Sequence, residues 1–290
     1  MIDLHLHTTA SDGRLPPASL VTLAANRGLT IISVTDHDTV AGLSAARAAA
    51  AARGIRLIDG IEITAIEQER DVHVLGYFFD PQSAPLAQFL EVQREARIAR
   101  VRDIAARLRA MHLAVDDDAI IREASLQRGR SVGRPAIADA LVAAGHAIDR
   151  GDAFDRLLAT GRPAFVPRRG PGLADVVAAI VRAGGIASLA HPGLTALDGE
   201  IPRFAASGLA ALEARHREHT PEMEAHYRSV AGALGLAISG GTDFHGDLGA
   251  RETDVDPALL GPGSVSLSAD DFSALESRWH RRAGKSAGLH

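Results

Sequence analysis

Histidines and carboxylates recur along the chain at spacings that suit metal sites. The first pair lies near the start, where His5 and His7 are separated by one residue. Side chains alternate between the two faces of a β-strand, so both imidazoles lie on one face while Ile2, Leu4 and Leu6 lie on the other. Two imidazoles at this spacing can bind one divalent cation, but an isolated pair can equally be two solvated polar residues. The rest of the chain must decide between these interpretations.

Other residues that can bind a metal lie at or just after the ends of predicted strands. These strands are predicted at 30–34, 55–64, 72–77, 186–190, 209–213 and 236–239. Helical patterns between many of them favour parallel pairing, and the carboxyl ends of parallel strands form one mouth of a barrel. The residues predicted to meet at that mouth are His5, His7, His37, Glu62, His73, His191, Asp243 and His245. Structural histidines have no reason to prefer strand ends, so the set indicates a metal centre.

Composition narrows the classes of protein that need to be considered. The chain has 290 residues and 46% hydrophobic content, enough for one barrel-sized domain or a domain with an insertion. It has no cysteine, which excludes thiolate sites and disulfides and suits the reducing cytoplasm, where we expect the protein to act. A net charge of -5 argues against stable binding of duplex nucleic acid. The sequence contains no uninterrupted apolar run of about eighteen residues, so no membrane span is predicted.

The pattern of alternating strands and helices is interrupted in the middle of the chain. Helical patterns alone are predicted at 86–111, 117–124, 135–144 and 152–158. We therefore expect a barrel whose first part covers residues 1–84 and whose second part covers 164–290. Residues 85–163 form a helical insertion. The arginine-rich segment 128–134 within it is predicted to face an anionic substrate if the insertion covers the barrel mouth as a lid; the alternative is a solvated basic loop.

The motifs, in their order along the chain, resemble those of the PHP (polymerase and histidinol phosphatase) family of metal-dependent phosphoesterases. They are His5-Leu6-His7 with Asp12, Thr35-Asp36-His37-Asp38, Glu62, His73, Ala190-His191-Pro192 and Gly241-Thr242-Asp243-Phe244-His245. The resemblance implies an α/β fold, a distorted (β/α)7 TIM-like barrel, with a trinuclear centre of Mn, Fe or Zn. Carried over by position, the first metal is held by His5, His7, Glu62 and Asp243, the second by Glu62, His73 and His191, and the third by Asp12, His37 and His245.

The resemblance also implies an activity, and the stand-alone nucleotide phosphatase or 5'-3' exoribonuclease branch is the most similar. Expected substrates are a nucleoside monophosphate, a 3',5'-bisphosphate or a short RNA with a 5'-phosphate, hydrolysed by a metal-bridging hydroxide. Glu62, Asp243 and His191 are expected to be catalytic. Substrate contacts are expected from Arg134, Arg168 and His216, because guanidinium and imidazole groups bind phosphate.

One departure and three alternatives remain. Ala136 follows Gly133-Arg134-Pro135, where the related motif often has histidine, so any role of that histidine is absent or supplied elsewhere. The substrate can instead be another metabolite such as histidinol phosphate, and a noncatalytic metal-binding scaffold is a further alternative. A deaminase or amidase is disfavoured because such binuclear enzymes commonly use a carboxylated lysine, and the single lysine, Lys285, lies near the C-terminus.

Overall fold

A seven-stranded β-barrel surrounded by helices organises the chain. The computed structural model describes residues 1–126, 131–246 and 261–286. Its strands are β1 (Ile2–Asp3), β2 (Ile31–Val34), β3 (Arg56–Glu67), β4 (Arg70–Tyr77), β5 (Ile186–Leu189), β6 (Ala211–His216) and β7 (Ala237–Gly241), and they neighbour one another in this order. The predicted α/β barrel with a helical insertion is confirmed.

The strand β4 runs opposite to the direction that the sequence predicts. It pairs antiparallel with both β3 and β5, whereas the other pairs are parallel. Only Gln68 and Glu69 connect β3 to β4, and both have a positive φ. Two residues can form a hairpin but cannot form the crossover that a parallel pair needs. His73 therefore lies within an antiparallel strand, opposite Thr64, and not at the carboxyl end of a parallel one.

The barrel closes between its first and last strands. The amide of Leu4 donates to the carbonyl oxygen of Gly240 at 3.1 Å, and the amide of His7 donates to that of Phe244 at 3.0 Å. The carboxylate of Asp3 adds a side-chain link, because it accepts hydrogen bonds from the amide and hydroxyl of Thr242 at 3.0 and 2.7 Å. These contacts hold the chain after β1 beside the chain after β7.

Helices cover the barrel and form the insertion. They are α1 (Pro17–Asn26), α2 (Leu43–Arg53), α3 (Ala84–Ala110), α4 (Asp117–Leu126), α5 (Arg134–Ala143), α6 (Arg150–Ala153) with a π-helical turn at Phe154–Leu158, α7 (Leu173–Arg182), α8 (Ile201–Ala206), α9 (Pro221–Ala233) and α10 (Ala269–Ser286). The helix α10 has no counterpart among the predicted helices, and it buries Phe272 and Leu275 against the barrel. Within the described ranges, no helix is both long enough and apolar enough to cross a membrane.

The described residues contain two separate hydrophobic cores. The larger core joins the barrel strands to their surrounding helices, and the smaller one lies among α3, α4, α5 and the segment after them. The helix α3 belongs to both, since Leu86 and Leu90 pack in the barrel core while Ile104 and Leu108 pack in the smaller core. The insertion is thus continuous with the barrel through one long helix. The domain boundaries at residues 85 and 163 stay a prediction.

A buried arginine of α3 links the insertion to the barrel mouth. Arg97 donates from Nε and Nη2 to Oδ2 of Asp38 at 2.6 and 2.5 Å, and from Nη1 to the carbonyl oxygen of Val132 at 3.3 Å. Burial raises the pKa of the Asp38 carboxyl, but Arg97 and Arg168 outweigh this effect and hold the pKa below its ordinary value. Asp38 follows the predicted ligand His37, so this contact connects the two parts next to the predicted metal centre.

Replacing Arg97 by methionine is expected to destabilise the fold. The Asp38 carboxylate stays buried without its main cation, and breaking a buried ion pair in this way costs about 3 to 5 kcal/mol. Urea denaturation measures the change in the free energy of unfolding. Arg102→Met, at an exposed position of the same helix, is the control and should change that free energy by less than about 0.5 kcal/mol. Equal losses in the two variants would contradict the assigned role.

Candidate metal centre

The structure brings the nine predicted ligand residues together at the barrel mouth. His5 and His7 lie on the extended chain after β1, Glu62 lies within β3 and His73 within β4. The remaining ligands lie in loops after strands or strand-like segments: Asp12, His37, His191, Asp243 and His245. The side chains of His5, His7 and Glu62 are fully buried, and the others are between 11% and 24% exposed, so the cluster opens toward solvent on one side.

Four side chains form the innermost group. The Nε2 atoms of His5 and His7 lie 3.3 and 3.2 Å from Oε2 of Glu62. The same two nitrogens lie 3.3 and 3.1 Å from Oδ1 of Asp243. This group has the four residues that the resemblance implies for the first metal.

A second group forms around Glu62. The Nδ1 atom of His73 and the Nε2 atom of His191 lie 2.9 and 3.2 Å from Oε1 of Glu62, and Nδ1 of His37 lies 3.0 Å from Oε2. The ligand atoms of His37, Glu62 and His73 are close enough to one another to hold one ion. The resemblance implies a second metal held by Glu62, His73 and His191, whereas the geometry groups Glu62 and His73 with His37.

A third group surrounds Asp12. Its Oδ1 lies 3.2 Å from Nε2 of His245 and 3.8 Å from Nδ1 of His7, and its Oδ2 lies 3.8 Å from Nε2 of His37. The group contains the three residues that the resemblance implies and adds His7. His7 and His37 each turn one nitrogen toward Glu62 and the other toward Asp12, so adjacent groups share ligands.

The cluster fits metal ions better than it fits internal hydrogen bonding. Buried nitrogens of His5, His7, His37 and His73, together with Oε2 of Glu62, have no hydrogen-bond partner. Several of these atoms are about 3 Å from a carboxylate oxygen, yet the angles do not form a hydrogen bond. Ligands about 2.1 Å from one ion are separated by roughly 3.0 to 3.4 Å in octahedral or tetrahedral geometry, the range found in the innermost group. The imidazole and carboxylate donors suit Mn, Fe or Zn.

The electrostatics of the site also favour a cation. Burial opposes charge on every group, but the carboxylates of Asp243 and Glu62 outweigh it and raise the pKa of His7 to about 10. Burial raises the pKa of Glu62, and the surrounding imidazoles more than offset this effect and hold it well below its usual range. Without metal, Glu62 and Asp243 therefore stay anionic and hold protons on His5 and His7, whereas burial lowers the pKa of His37 to about 3. A bound cation replaces those protons.

Three buried carboxylates behind the ligands hold them in place, and the sequence analysis did not assign this role to them. Glu213 accepts from Nδ1 of His5 at 2.9 Å and from the amide of His191 at 2.7 Å. Asp36 accepts from the Thr8 hydroxyl at 2.7 Å and from the Ser11 hydroxyl at 2.7 Å, which fixes the loop that carries the ligand Asp12. Asp3 holds the chain after β1 to Thr242, which immediately precedes Asp243. The available sequence signal was a charged residue inside an otherwise buried strand pattern, as at Glu213 between Leu212 and Ala214.

Two predicted substrate-binding arginines lie near Asp71, two residues before the candidate ligand His73 on β4. Arg168 has a side chain that is only 12% exposed, and its Nε has no hydrogen-bond partner. Its nearest carboxylates are Asp38 at 3.6 Å and Asp71 at 3.9 Å. Burial and the neighbouring Arg97 lower the pKa of Arg168 to about 9. An additional anion would stabilise this incompletely paired guanidinium.

Arg134 is more firmly held by the protein. Its Nη1 donates to the carbonyl oxygen of Leu158 at 3.3 Å, and Nη2 lies 3.8 Å from Asp71. The guanidinium also lies over the rings of Phe154 and Phe165, each 5.7 Å from the ring centre. It is 23% exposed. The other arginines of the predicted basic segment, Arg128 and Arg130, lie outside the described residues.

The third predicted substrate residue, His216, points toward a ligand. Its Nδ1 accepts from the amide of Glu218 at 3.2 Å, so Nε2 is the ring nitrogen that faces Asp243. That Nε2 is buried and lies 3.7 Å from Oδ2 of Asp243. The geometry places His216 behind Asp243, where it can orient the carboxylate. His216 is not among the residues that line the cavity next to Asp12 and His37.

A cavity of about 630 Å³ extends from the metal centre into the insertion. Asp12 and His37 lie at its inner end, and residues of α4 and α5 form its walls. This volume lies within the range of small-molecule sites. Ala136 is one of the wall residues, so the position at which the related motif often has histidine faces this space. The cluster and the cavity together form a candidate metal site with room beside it for a substrate.

Comparison with known proteins agrees with this geometry. Residues 3–121 match the PHP domain model. The chain is 35% identical over 249 residues to a 3',5'-nucleoside bisphosphate phosphatase of Chromobacterium violaceum, an alignment that covers 84% of this chain and 87% of the relative. The chain belongs to the PHP family.

Other PHP-related proteins extend the comparison. The 5'-3' exoribonuclease Rnm of Salmonella typhimurium is 34% identical over 250 residues, covering 84% of each chain. A solved structure from Bifidobacterium adolescentis, described as a metal-dependent phosphoesterase, superposes with a TM-score of 0.84 at 32% identity and covers 96% of each chain. The protein is thus a hydrolase of phosphate esters in a metal-dependent family.

Replacing Glu213 by glutamine is expected to weaken metal binding without removing a ligand. In the wild type, one carboxylate oxygen of Glu213 accepts from His5 and the other accepts from the amide of His191. Glutamine replaces one of these oxygens by an amide nitrogen, which cannot accept a hydrogen bond. Substitution of a partner that orients a metal-binding histidine typically weakens affinity by about 10- to 100-fold. Calorimetric titration of chelator-treated protein with Mn²⁺ measures the change. Glu218→Gln, at a nearby exposed position, is the control. Affinities within about threefold of each other would contradict the role of Glu213.

Proposed function

We propose that this PHP protein hydrolyses a phosphate ester of a nucleotide or of a short oligonucleotide that carries a 5'-phosphate. The observation that supports the proposal most strongly is the cluster of nine potential ligands, buried Glu62 among them, which adjoins a cavity large enough for a nucleoside. The activities named for the phosphatase and exoribonuclease relatives support the same substrate class. A noncatalytic scaffold is disfavoured because all nine predicted ligand positions carry competent residues.

The proposed centre holds up to three divalent ions of Mn, Fe or Zn. In the proposed assignment, Glu62 is shared by the first two sites, with His5, His7 and Asp243 in one, and with His73 and His191 in the other. Asp12, His37 and His245 hold the third. When bound, such ions withdraw charge from phosphoryl oxygens and make a coordinated water acidic enough to attack at neutral pH.

The residues of the chain have distinct proposed roles in the reaction. Glu62 keeps two sites close together, and its anionic state balances part of their charge. Asp243 completes the innermost group, and His216 orients it from behind. His191 has a positive φ of 24°, an unusual backbone conformation. The hydrogen bond that its amide donates to Glu213 helps to hold this conformation. Together these residues fix the reacting phosphate against the open side of the cluster.

Arg168 and Arg134 are the proposed phosphate contacts. Both lie near Asp71 on β4, on the same side as His73. Arg168 is the stronger candidate because its buried Nε has no hydrogen-bond partner, whereas Arg134 already bonds to a carbonyl oxygen and packs on two rings.

We also propose that the protein acts in the cytoplasm, on small substrates and without stable binding of duplex nucleic acid.

Glu62→Gln is expected to abolish turnover while the fold is retained. A neutral amide cannot balance the charge of two adjacent cations, so the ions that activate the water and the phosphate would be lost or displaced. Phosphate release should therefore fall by about 10³-fold or more. Phosphate release from adenosine 3',5'-bisphosphate in the presence of Mn²⁺ is the measurement, and circular dichroism is the control for folding. Activity close to that of the wild type would refute the bridging role.

Arg168→Ala should lower kcat/KM for the same substrate without loss of metal. Removal of one charge-assisted hydrogen bond costs about 1.5 to 3 kcal/mol, which corresponds to roughly 10- to 150-fold. Arg169→Ala, at the adjacent exposed position, is the matched control and should leave kcat/KM nearly unchanged. Elemental analysis of each variant separates a lost substrate contact from a lost metal. An unchanged kcat/KM in Arg168→Ala would remove this residue from the site.

A further inference from the structure

The imidazole of His219 does not belong to the candidate ligand groups, and both of its ring nitrogens are bonded to backbone atoms. Its Nδ1 lies 2.9 Å from the carbonyl oxygen of Ala214, and its Nε2 lies 3.3 Å from the amide nitrogen of Gly193. A carbonyl oxygen can only accept, so Nδ1 donates to Ala214 and Nε2 accepts from Gly193. Burial lowers the pKa of His219, which favours this neutral ring. Neither nitrogen is left to bind a metal or a phosphate.

The amide bonded to His219 belongs to the loop that carries the candidate ligand His191. His191 has a φ of 24° and a ψ of 59°, a conformation that residues other than glycine rarely adopt. Such a conformation persists only where neighbouring contacts hold it. Two hydrogen bonds flank it: the amide of His191 donates to Glu213 at 2.7 Å, and the amide of Gly193 donates to His219 at 3.3 Å. The strained ligand is therefore held on both sides.

The loop lies directly against His219, and glycine permits this close approach. A Cβ atom at Gly193 would come within 2.9 Å of Nε2 of His219 and within 2.2 Å of Cε of Met223. The helix α9 also places Tyr227 beside the imidazole, with ring centres 5.2 Å apart, and the Tyr227 hydroxyl donates to Asp198 at 3.0 Å. The position of this imidazole therefore sets the position of the loop.

The two hydrogen bonds that hold the loop differ in what else they fix. Glu213 also accepts from Nδ1 of His5, so a change at Glu213 affects two candidate ligands. Within the part of the chain that the structure describes, the hydrogen bonds of the His219 ring join only the His191 loop to the end of β6. Loss of the Nε2 acceptor therefore acts on His191 and leaves the direct support of His5 in place.

We propose that His219 is a positioning residue for His191. It fixes the backbone of the loop so that Nε2 of His191 is directed toward Oε1 of Glu62, 3.2 Å away, and it thereby controls the affinity of the metal site that these two ligands share. The inference rests on the proposed function, in which Glu62, His73 and His191 hold one of the ions. His219 acts through the loop backbone and contacts neither the ion nor the substrate.

Two substitutions of His219 isolate the hydrogen bond to the loop. The longer side chain of His219→Gln can place its amide oxygen near the position of Nε2 and accept from Gly193, whereas His219→Asn reaches only about as far as Nδ1. Both variants lose the contact between the rings of His219 and His216, whose centres are 5.4 Å apart, so this loss cancels in the comparison.

Calorimetric titration of chelator-treated protein with Mn²⁺ measures the effect. One site should be weakened by about tenfold in His219→Asn, the lower end of the range for residues that support a ligand, and His219→Gln should stay within about threefold of the wild type. His226→Asn, at an exposed position of α9, is the control and should match the wild type. Gly193→Ala pushes the loop away while the imidazole is retained and should weaken the same site, so it provides the test if His219→Asn does not fold.

A double-mutant cycle determines whether His219 acts through His191. The substitution His191→Ala removes the ligand itself. In that background, adding His219→Asn should leave the Mn²⁺ affinity of the remaining sites within about twofold, because both changes affect one site. An effect on the whole fold would instead weaken binding by the same factor in both backgrounds.

The outcomes separate this inference from the function on which it rests. Wild-type affinity in His219→Asn, equal losses in His219→Asn and His219→Gln, or an undiminished loss in the His191→Ala background each overturn the role of His219. If the wild type binds Mn²⁺ but releases no phosphate from nucleotides, the proposed function fails, and the titrations still decide this role. A wild type that binds no Mn²⁺ would refute the metal centre and this inference together. Thermal unfolding of each variant is measured in parallel.

Discussion

The buried carboxylate of Glu62 is the group on which the rest of the site depends. Five imidazoles surround its two oxygens at 2.9 to 3.3 Å, and the side chain has no solvent exposure. An anion inside a barrel is costly unless cations compensate it. The fold meets this requirement by bringing imidazoles from distant parts of the chain to one point. Without metal, His5, His7 and His191, whose pKa values the neighbouring carboxylates raise, compensate the charge, and divalent ions would do so in the proposed active enzyme.

This requirement explains why so many other polar groups are buried nearby. Asp3, Asp36 and Glu213 do not belong to the candidate ligand groups, yet each accepts hydrogen bonds that fix a segment carrying ligands. Their partners are mostly backbone amides and hydroxyls of the ligand loops, so loop geometry and ligand position are linked. Arg97 extends this linkage to the insertion through Asp38. Metal binding, loop order and the position of the insertion are therefore expected to change together.

The sequence predicted the parts of the fold that local patterns encode. Alternation around His5 and His7 indicated their shared face, and the position of ligands at strand ends indicated a common mouth. Strand direction is not encoded in alternation, so the prediction of a parallel β4 is wrong; only Gln68 and Glu69 connect it to β3, which makes the two strands a hairpin. The role of Glu213 was also missed, because one acidic residue in a strand has the same pattern whether it is solvated or bonded to a ligand.

Anomalous diffraction tests the central claim most directly. Crystals of the enzyme grown with excess Mn²⁺ would be measured above and below the manganese absorption edge. If Glu62 is shared by two metal sites, anomalous peaks appear next to both of its carboxylate oxygens, one of them enclosed by His5, His7 and Asp243, at roughly 2.0 to 2.3 Å from the ligand atoms. A crystal of active enzyme with no peak near Glu62, or with manganese bound only elsewhere on the protein, would show that Glu62 does not hold the metals.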